Sequence, residues 1–132
     1  MSTADRWLTV IALVSVPTVM FGGYSLMRLA AARRLTDFQL SLFRAGHAHA
    51  GVLLVLTLTA LSIAARAGLS DPYTWVVGAL LAAGTISQSG GFFLHAGIGR
   101  PGQWSFGNTL TVLGAGQLTV ALLLLAYAVA TS

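Results

Sequence analysis

The sequence predicts an all-α integral membrane protein, an up-down four-helix transmembrane bundle forming a single membrane domain over residues 1–132. Two observations carry that prediction. Hydrophobic residues make up 56% of the 132 positions and charged residues only 8%, against roughly a quarter charged in a soluble domain. A water-soluble domain of this length could not hide so much apolar surface. The apolar residues also gather in four runs, near 8–29, 45–65, 75–96 and 110–130. Each is close to the ~20 residues that carry a helix across ~30 Å of hydrocarbon.

The first run reads as a span and not as a cleaved signal. Asp5 and Arg6 give it a poor basic lead, and "GGYSLMRLAAARR" (22–34) shows no obvious cleavage site. Pro17 should bend this helix. Before the second run, "LTDFQL" (35–40) fits a capping box: Thr36 takes the Gln39 N–H, Gln39 returns the bond, and Leu35 staples against Leu40. The second helix therefore starts near 37, well before the hydrocarbon, and runs to about Arg66. "GLSDPY" (68–73) is a tight turn in which Asp71 caps and Pro72 takes the first helical position. "GIGRPG" (97–102) ends the third helix, and a fourth follows from about Phe106. The short second and third connections place sequence neighbours antiparallel.

Charge gives the orientation. Seven arginines face three aspartates, a formal +4. The first connection holds Arg28, Arg33, Arg34 and Arg44 against Asp37, the second Arg66 with Asp71, and the third Arg100. The positive-inside rule then puts the first and third connections in the cytoplasm and both termini outside a bacterial-type plasma membrane, with Arg6 in mild opposition. The basic balance points to the lipid bilayer as partner, not to nucleic acid. The absence of cysteine excludes disulfides, thiolate metal sites and iron–sulfur clusters.

Two of the three histidines sit in "FRAGHAHAG" (43–51). His47 and His49 precede Asp71 by 24 and 22 residues, and His95 follows it by 24. Imidazoles on the second and third helices are thus expected at nearly equal depth, near the arginine-bearing face. Two residues of helix turn a side chain by about 200°, so His47 and His49 point nearly opposite ways and only one can face the bundle with His95. His47 is the preferred one, because Gly51 opens space a turn away while His49 shares its side with Val52, Leu53 and Leu56. The third helix carries Gly84, Gln88, Gly91 and His95 as one stripe. The fourth carries Asn108, Thr111, Gly114 and Gln117 in one half of its wheel. Gly51, Gly84, Gly91 and Gly114 suit close packing, and Gln88 and Gln117 an internal hydrogen bond. Asn108 also suits a helix cap. Polar groups in lipid require partners and often mark sites.

The functional expectation is an intramembrane histidine site near the cytoplasmic face. His47 and His95 could take the axial positions of haem b for electron transfer, with Arg44 and Arg100 pairing its propionates. A transition metal on His47, His49 and His95 is the related alternative, and it would want further ligands. Without a cofactor, the chain reads as a homo-oligomeric channel or transporter for a small solute, alone or with partner membrane subunits. A membrane enzyme acting on a lipid-soluble substrate also stays open, but no Ser–His–Asp set is apparent and no catalytic residue is assigned.

Overall fold

The computed structural model describes residues 2–131, which form four helices: α1 (Thr3–Ala31), α2 (Asp37–Arg66), α3 (Asp71–Ile98) and α4 (Phe106–Thr131). Every one is long and apolar enough to cross a membrane. The helices exceed the apolar runs because their ends extend beyond the stretch that needs lipid. α1 passes through Pro17 without interruption.

Local chemistry sets the ends. Thr36 and Gln39 form the expected reciprocal cap of α2, with Gln39 N–H on Thr36 Oγ1 at 3.2 Å and Thr36 N–H on Gln39 Oε1 at 3.1 Å. Ser2 and Asp5 make a second capping box on α1. α2 ends in a Schellman turn: Leu69 N–H reaches Ala64 O, Gly68 N–H reaches Ala65 O, and Gly68 takes φ +67°. α1 ends the same way, but there the left-handed position is Arg33, at φ +51°.

The start of α3 departs from expectation. Ser70 is the N-cap residue and makes no side-chain capping bond, while Asp71 is already helical and Pro72 follows it. The Asp71 carboxylate is engaged elsewhere: it accepts the Ala4 N–H of α1 at 3.2 Å. That bond satisfies one of the open amides at the α1 N-terminus, where negative charge is favoured.

Packing is uneven. α3 lies against α4 along most of its length and against α2 on another side, whereas α1 rests on α2 and more lightly on α3. Among the described residues α1 and α4 do not touch. The contacts join opposite ends of sequence neighbours: Gln39 of α2 meets Ala96 of α3, and Tyr73 of α3 donates to Leu124 O of α4 at 2.8 Å. The core is built by α2, α3 and α4 from Leu53, Ala60, Ala64, Val77, Leu81, Leu118, Ala121 and Leu125. α1 adds only a satellite, Ala4 and Leu8 with Leu61.

Glycines bring α3 and α4 together. Gly91 faces Gly107 and Gly84 faces Gly114, two pairs seven residues apart on each helix. A Cβ on Gly107 would lie 2.6 Å from Gly91 O, and one on Gly84 would lie 3.0 Å from Gly114 O. At Gly107 the obstructing atoms are all backbone, so there neither helix could yield without separating, while at Gly84 the Leu118 side chain, at 2.7 Å, is met first.

Candidate functional site at the arginine-bearing end

α2 presents its two histidines to different neighbours, as their 200° separation requires. His47 turns to α1. Its ring lies over Gly23, where a Cβ would come within 2.7 Å of Nε2, and it walls a cavity of about 190 Å³ with Gly22, Ser25, Leu26, Phe43 and Phe93. His49 turns to α3, where its ring tilts against Phe92 at 4.8 Å between centroids. Its Nδ1 is 2.8 Å from Ala45 O. A carbonyl can only accept, so Nδ1 carries a proton and the bond leaves Nε2 unused.

His95 is nearly enclosed, 7% exposed, and looks toward the α3–α4 connection. Its Nδ1 lies 2.7 Å from Ser105 Oγ, and Phe38 of α2 meets its ring edge-on at 5.3 Å. Ser105 is itself held: its Oγ accepts the Gly107 N–H at 3.1 Å, and its own N–H reaches Asn108 Oδ1 at 2.9 Å. Asn108 therefore serves as a cap. The Ser105 hydroxyl has one proton, which goes either to Asn108 Oδ1 at 3.3 Å or to His95. In the first case the His95 Nδ1–H donates to Ser105 and leaves Nε2 free to accept.

The site differs from its expected form in the neighbours that the histidine rings meet. Phe38, the α2 residue whose ring touches His95, is nine residues before His47. Farther along, the two helices keep close to the register of a mirror at the turn: Thr57 meets Thr85 at 3.4 Å, and His49 meets Phe92, three residues before His95. His47, His49 and His95 occupy three separate settings. Among the described residues no group of three His, Cys, Asp or Glu side chains could hold a metal ion.

Four of the expected residues do converge. Gly91, His95, Asn108 and Thr111 line one cavity of about 180 Å³ with Leu42 and Trp104. Thr111 Oγ1 donates to Gly107 O at 3.1 Å and lies 3.4 Å from Gln88 O. The internal hydrogen bond expected of Gln88 and Gln117 does not reach Gln117 Oε1, which is buried with no hydrogen-bond partner. Gln88 meets α4 through its backbone, packed on Gly114. Gly51 is not a tight contact, its nearest neighbour being Val19 Cγ1 at 4.0 Å from a built Cβ. Arg44 and Arg100 are exposed.

The inner side of α1 was not singled out by the sequence, although Ala12, Ser15, Gly22, Gly23 and Ser25 are all small. A second cavity of about 190 Å³ lies there between α1 and the α2–α3 pair, walled by Leu8, Ala12, Val19, Leu54, Thr57 and Ser89 among others. Its hydroxyls are spoken for. Ser15 bonds Ile11 O, Thr57 bonds Leu53 O and Ser89 bonds Thr85 O within their own helices, and the Thr85 hydroxyl meets that of Thr57 across α2 and α3 at 3.4 Å. This cavity therefore presents an apolar wall. Leu61 links it to a third cavity near Asp5 and Arg66, and Val19 brings it within a turn of the His47 cavity. No family model, no curated protein and no solved structure matches the chain.

Proposed function

We propose that this protein is an up-down four-helix membrane bundle that binds a lipid-soluble ligand along the inner side of α1, with the ligand's polar end at His47. The observation that supports this reading is the row of cavities between α1 and the α2–α3 pair, ending at an imidazole. An apolar wall accepts a hydrocarbon chain through burial alone, and a single histidine at its end fixes polarity and orientation. The head group that suits this end bears hydrogen-bonding oxygens, as in a quinone or a long-chain alcohol. The role is binding or carriage. The arginine distribution favours a His47 end at the cytoplasmic face of a bacterial-type plasma membrane and both termini outside, and the end-to-end helix contacts favour the up-down order.

The test is photolabelling of detergent-purified protein with a diazirine placed along an alkyl chain. Labels should fall on Ala12, Val19 and Leu54, and Ala12→Phe should abolish them. Labels spread evenly over the outward faces of all four helices would end this reading.

A second reading, haem b on the histidines, has its own supporting observation. His49 donates Nδ1–H to a backbone carbonyl, the arrangement that fixes a metal-ligating imidazole and leaves Nε2 available. His95 is anchored through the same ring nitrogen. The residues fit a cofactor only in part, because the contacts of His47, His49 and His95 are with three different neighbours. If bound, haem would supply one-electron redox chemistry, with Arg44 and Arg100 as candidate partners for its propionates. A Soret band in protein from haem-supplemented cells, lost in His49→Ala and His95→Ala, would establish this reading over the first.

A further inference from the structure

The ring of His95 leaves one of its two nitrogens unused. Nδ1 lies 2.7 Å from Ser105 Oγ. Nε2 makes no hydrogen bond among the described residues and keeps accessible surface, although the residue as a whole is only 7% exposed. The ring is a wall of the cavity of about 180 Å³ between α2, α3 and α4, and Asn108 stands in the same wall. The Asn108 oxygen is fixed as the atom that takes the Ser105 N–H at 2.9 Å, because a backbone amide only donates. Its Nδ2 is the end left over, and it too has no hydrogen-bond partner among the described residues and keeps accessible surface. Around these two nitrogens the lining is apolar and aromatic, with Leu42, Phe92, Trp104 and Val112. Trp104 spends its indole N–H on Thr109 Oγ1 at 2.9 Å, so it offers the cavity only its ring.

We infer that this cavity binds a single hydroxylated aromatic ring, that of a free phenol or of a lipid-borne quinol. Ser105 sets the sense of the hydrogen bonds. With its proton on Asn108 Oδ1, at 3.3 Å, its oxygen receives both the Gly107 N–H and the His95 Nδ1–H, and every position of the hydroxyl is used. Nε2 of the neutral ring is then an acceptor, and Asn108 Nδ2 a donor. A phenolic O–H supplies the proton that Nε2 lacks, and the oxygen of the same or a second hydroxyl accepts from Nδ2. The volume selects the ring. It is a little above the ~150 Å³ that holds benzene in an engineered core, and Phe92 and Trp104 give an aromatic guest faces and edges to pack on. One water would satisfy Nε2 but fill only about 30 Å³, and a carboxylate would find no cation in the wall. The site shares no residue with the two cavities beside α1 that carry the proposed lipid-soluble ligand, so it does not depend on that reading. It excludes haem on His95, which needs the same nitrogen.

The experiment titrates the full chain in detergent micelles with 4-ethylphenol and with 4-ethylanisole, in which a methyl group replaces the hydroxyl proton. Calorimetry reads the affinity, after uptake by empty micelles is subtracted, and nitrogen-15 spectra read the His95 ring. 4-Ethylphenol should bind about tenfold more tightly, the equivalent of one hydrogen bond. It should also move the Nε2 signal of His95 and leave those of His47 and His49 in place. His95→Phe should bring the two compounds to equal affinity. Because His95 also anchors Ser105, Val112→Trp provides a variant at the exposed rim that fills the cavity without touching that contact. It should lose both compounds while circular dichroism and the His95 Nδ1 signal stay unchanged. 4-Nonylphenol separates the two sources: affinity above that of 4-ethylphenol supports the site with a membrane-borne ring, and equal affinity supports it with a free phenol. Equal binding of 4-ethylphenol and 4-ethylanisole to the unaltered protein, an Nε2 signal unmoved at saturation, or binding that survives Val112→Trp would overturn the assignment.

Discussion

His47 rests on Gly23 with no room for a side chain between them, since a Cβ there would fall 2.7 Å from Nε2 and 2.9 Å from Cε1. The adjacent Gly22 is merely in contact, at 4.0 Å from Nδ1. Gly23→Ala should therefore push the imidazole aside, while Gly22→Ala should leave it in place. Nitrogen-15 spectra of the histidine rings would show a moved His47 signal in the first variant alone. Stability should change by less than about 1 kcal/mol in either, because a ring can rotate away from an added methyl group and alanine is the better helix former.

The α3–α4 seam should respond differently. A Cβ on Gly107 would lie 2.5 Å from His95 N and 2.6 Å from Gly91 O. Backbone cannot rotate aside, so Gly107→Ala should cost about 1–3 kcal/mol, the usual range for overpacking. Gly90 and Gly116 have nothing within 4 Å, and alanine at either should be neutral or slightly stabilising. Unfolding by graded sodium dodecyl sulfate in mixed micelles would rank the three variants.

Tyr73 ties the beginning of α3 to Leu124 O near the end of α4. Tyr73→Phe removes only the hydroxyl and should cost about 0.5–1.5 kcal/mol in the same titration. A loss of binding at the His47 end without a loss of stability would contradict this purely structural role.

Arg33 holds a left-handed conformation at φ +51° in the α1 end turn. Glycine bears no penalty there, so Arg33→Gly should stabilise the fold by about 1 kcal/mol. Thermal unfolding in detergent would register it as a raised midpoint.

Asp71 holds the first turn of α1 through Ala4 N–H. Asp71→Ala should speed amide exchange in the first residues of α1 and leave α4 unchanged, read by hydrogen–deuterium exchange mass spectrometry. Equal acceleration along α4 would show that the bond stabilises the whole bundle and not one helix.

Features governed by nearby residues were legible in the sequence. The Thr36–Gln39 cap, the α2 bounds and the opposed directions of His47 and His49 follow from chemistry within a few residues or from helix geometry. What depends on how helices meet was less so. The Asp71–Ala4 bond spans 67 residues, and no local rule distinguishes it from the capping role that Asp71 was expected to take. Counting residues from the turn says how deep His95 lies but not which neighbours its ring meets, and those are Ser105 and Phe38. The importance of Gly107 comes from facing Gly91, and in the sequence it shows only as a spacing of seven from Gly114 that matches that of Gly84 from Gly91. In the sequence Ser105 is an ordinary loop serine. Only the fold brings it to His95.

The lopsided packing divides the molecule mechanically. Two helices locked glycine to glycine have no slack, whereas the first helix is held by a small satellite of side chains, one carboxylate and a histidine resting on a bare backbone. α1 is therefore the helix whose separation from the bundle would cost the least, and because it forms one wall of the cavities beside it, their shape depends on its position more than on that of the other three.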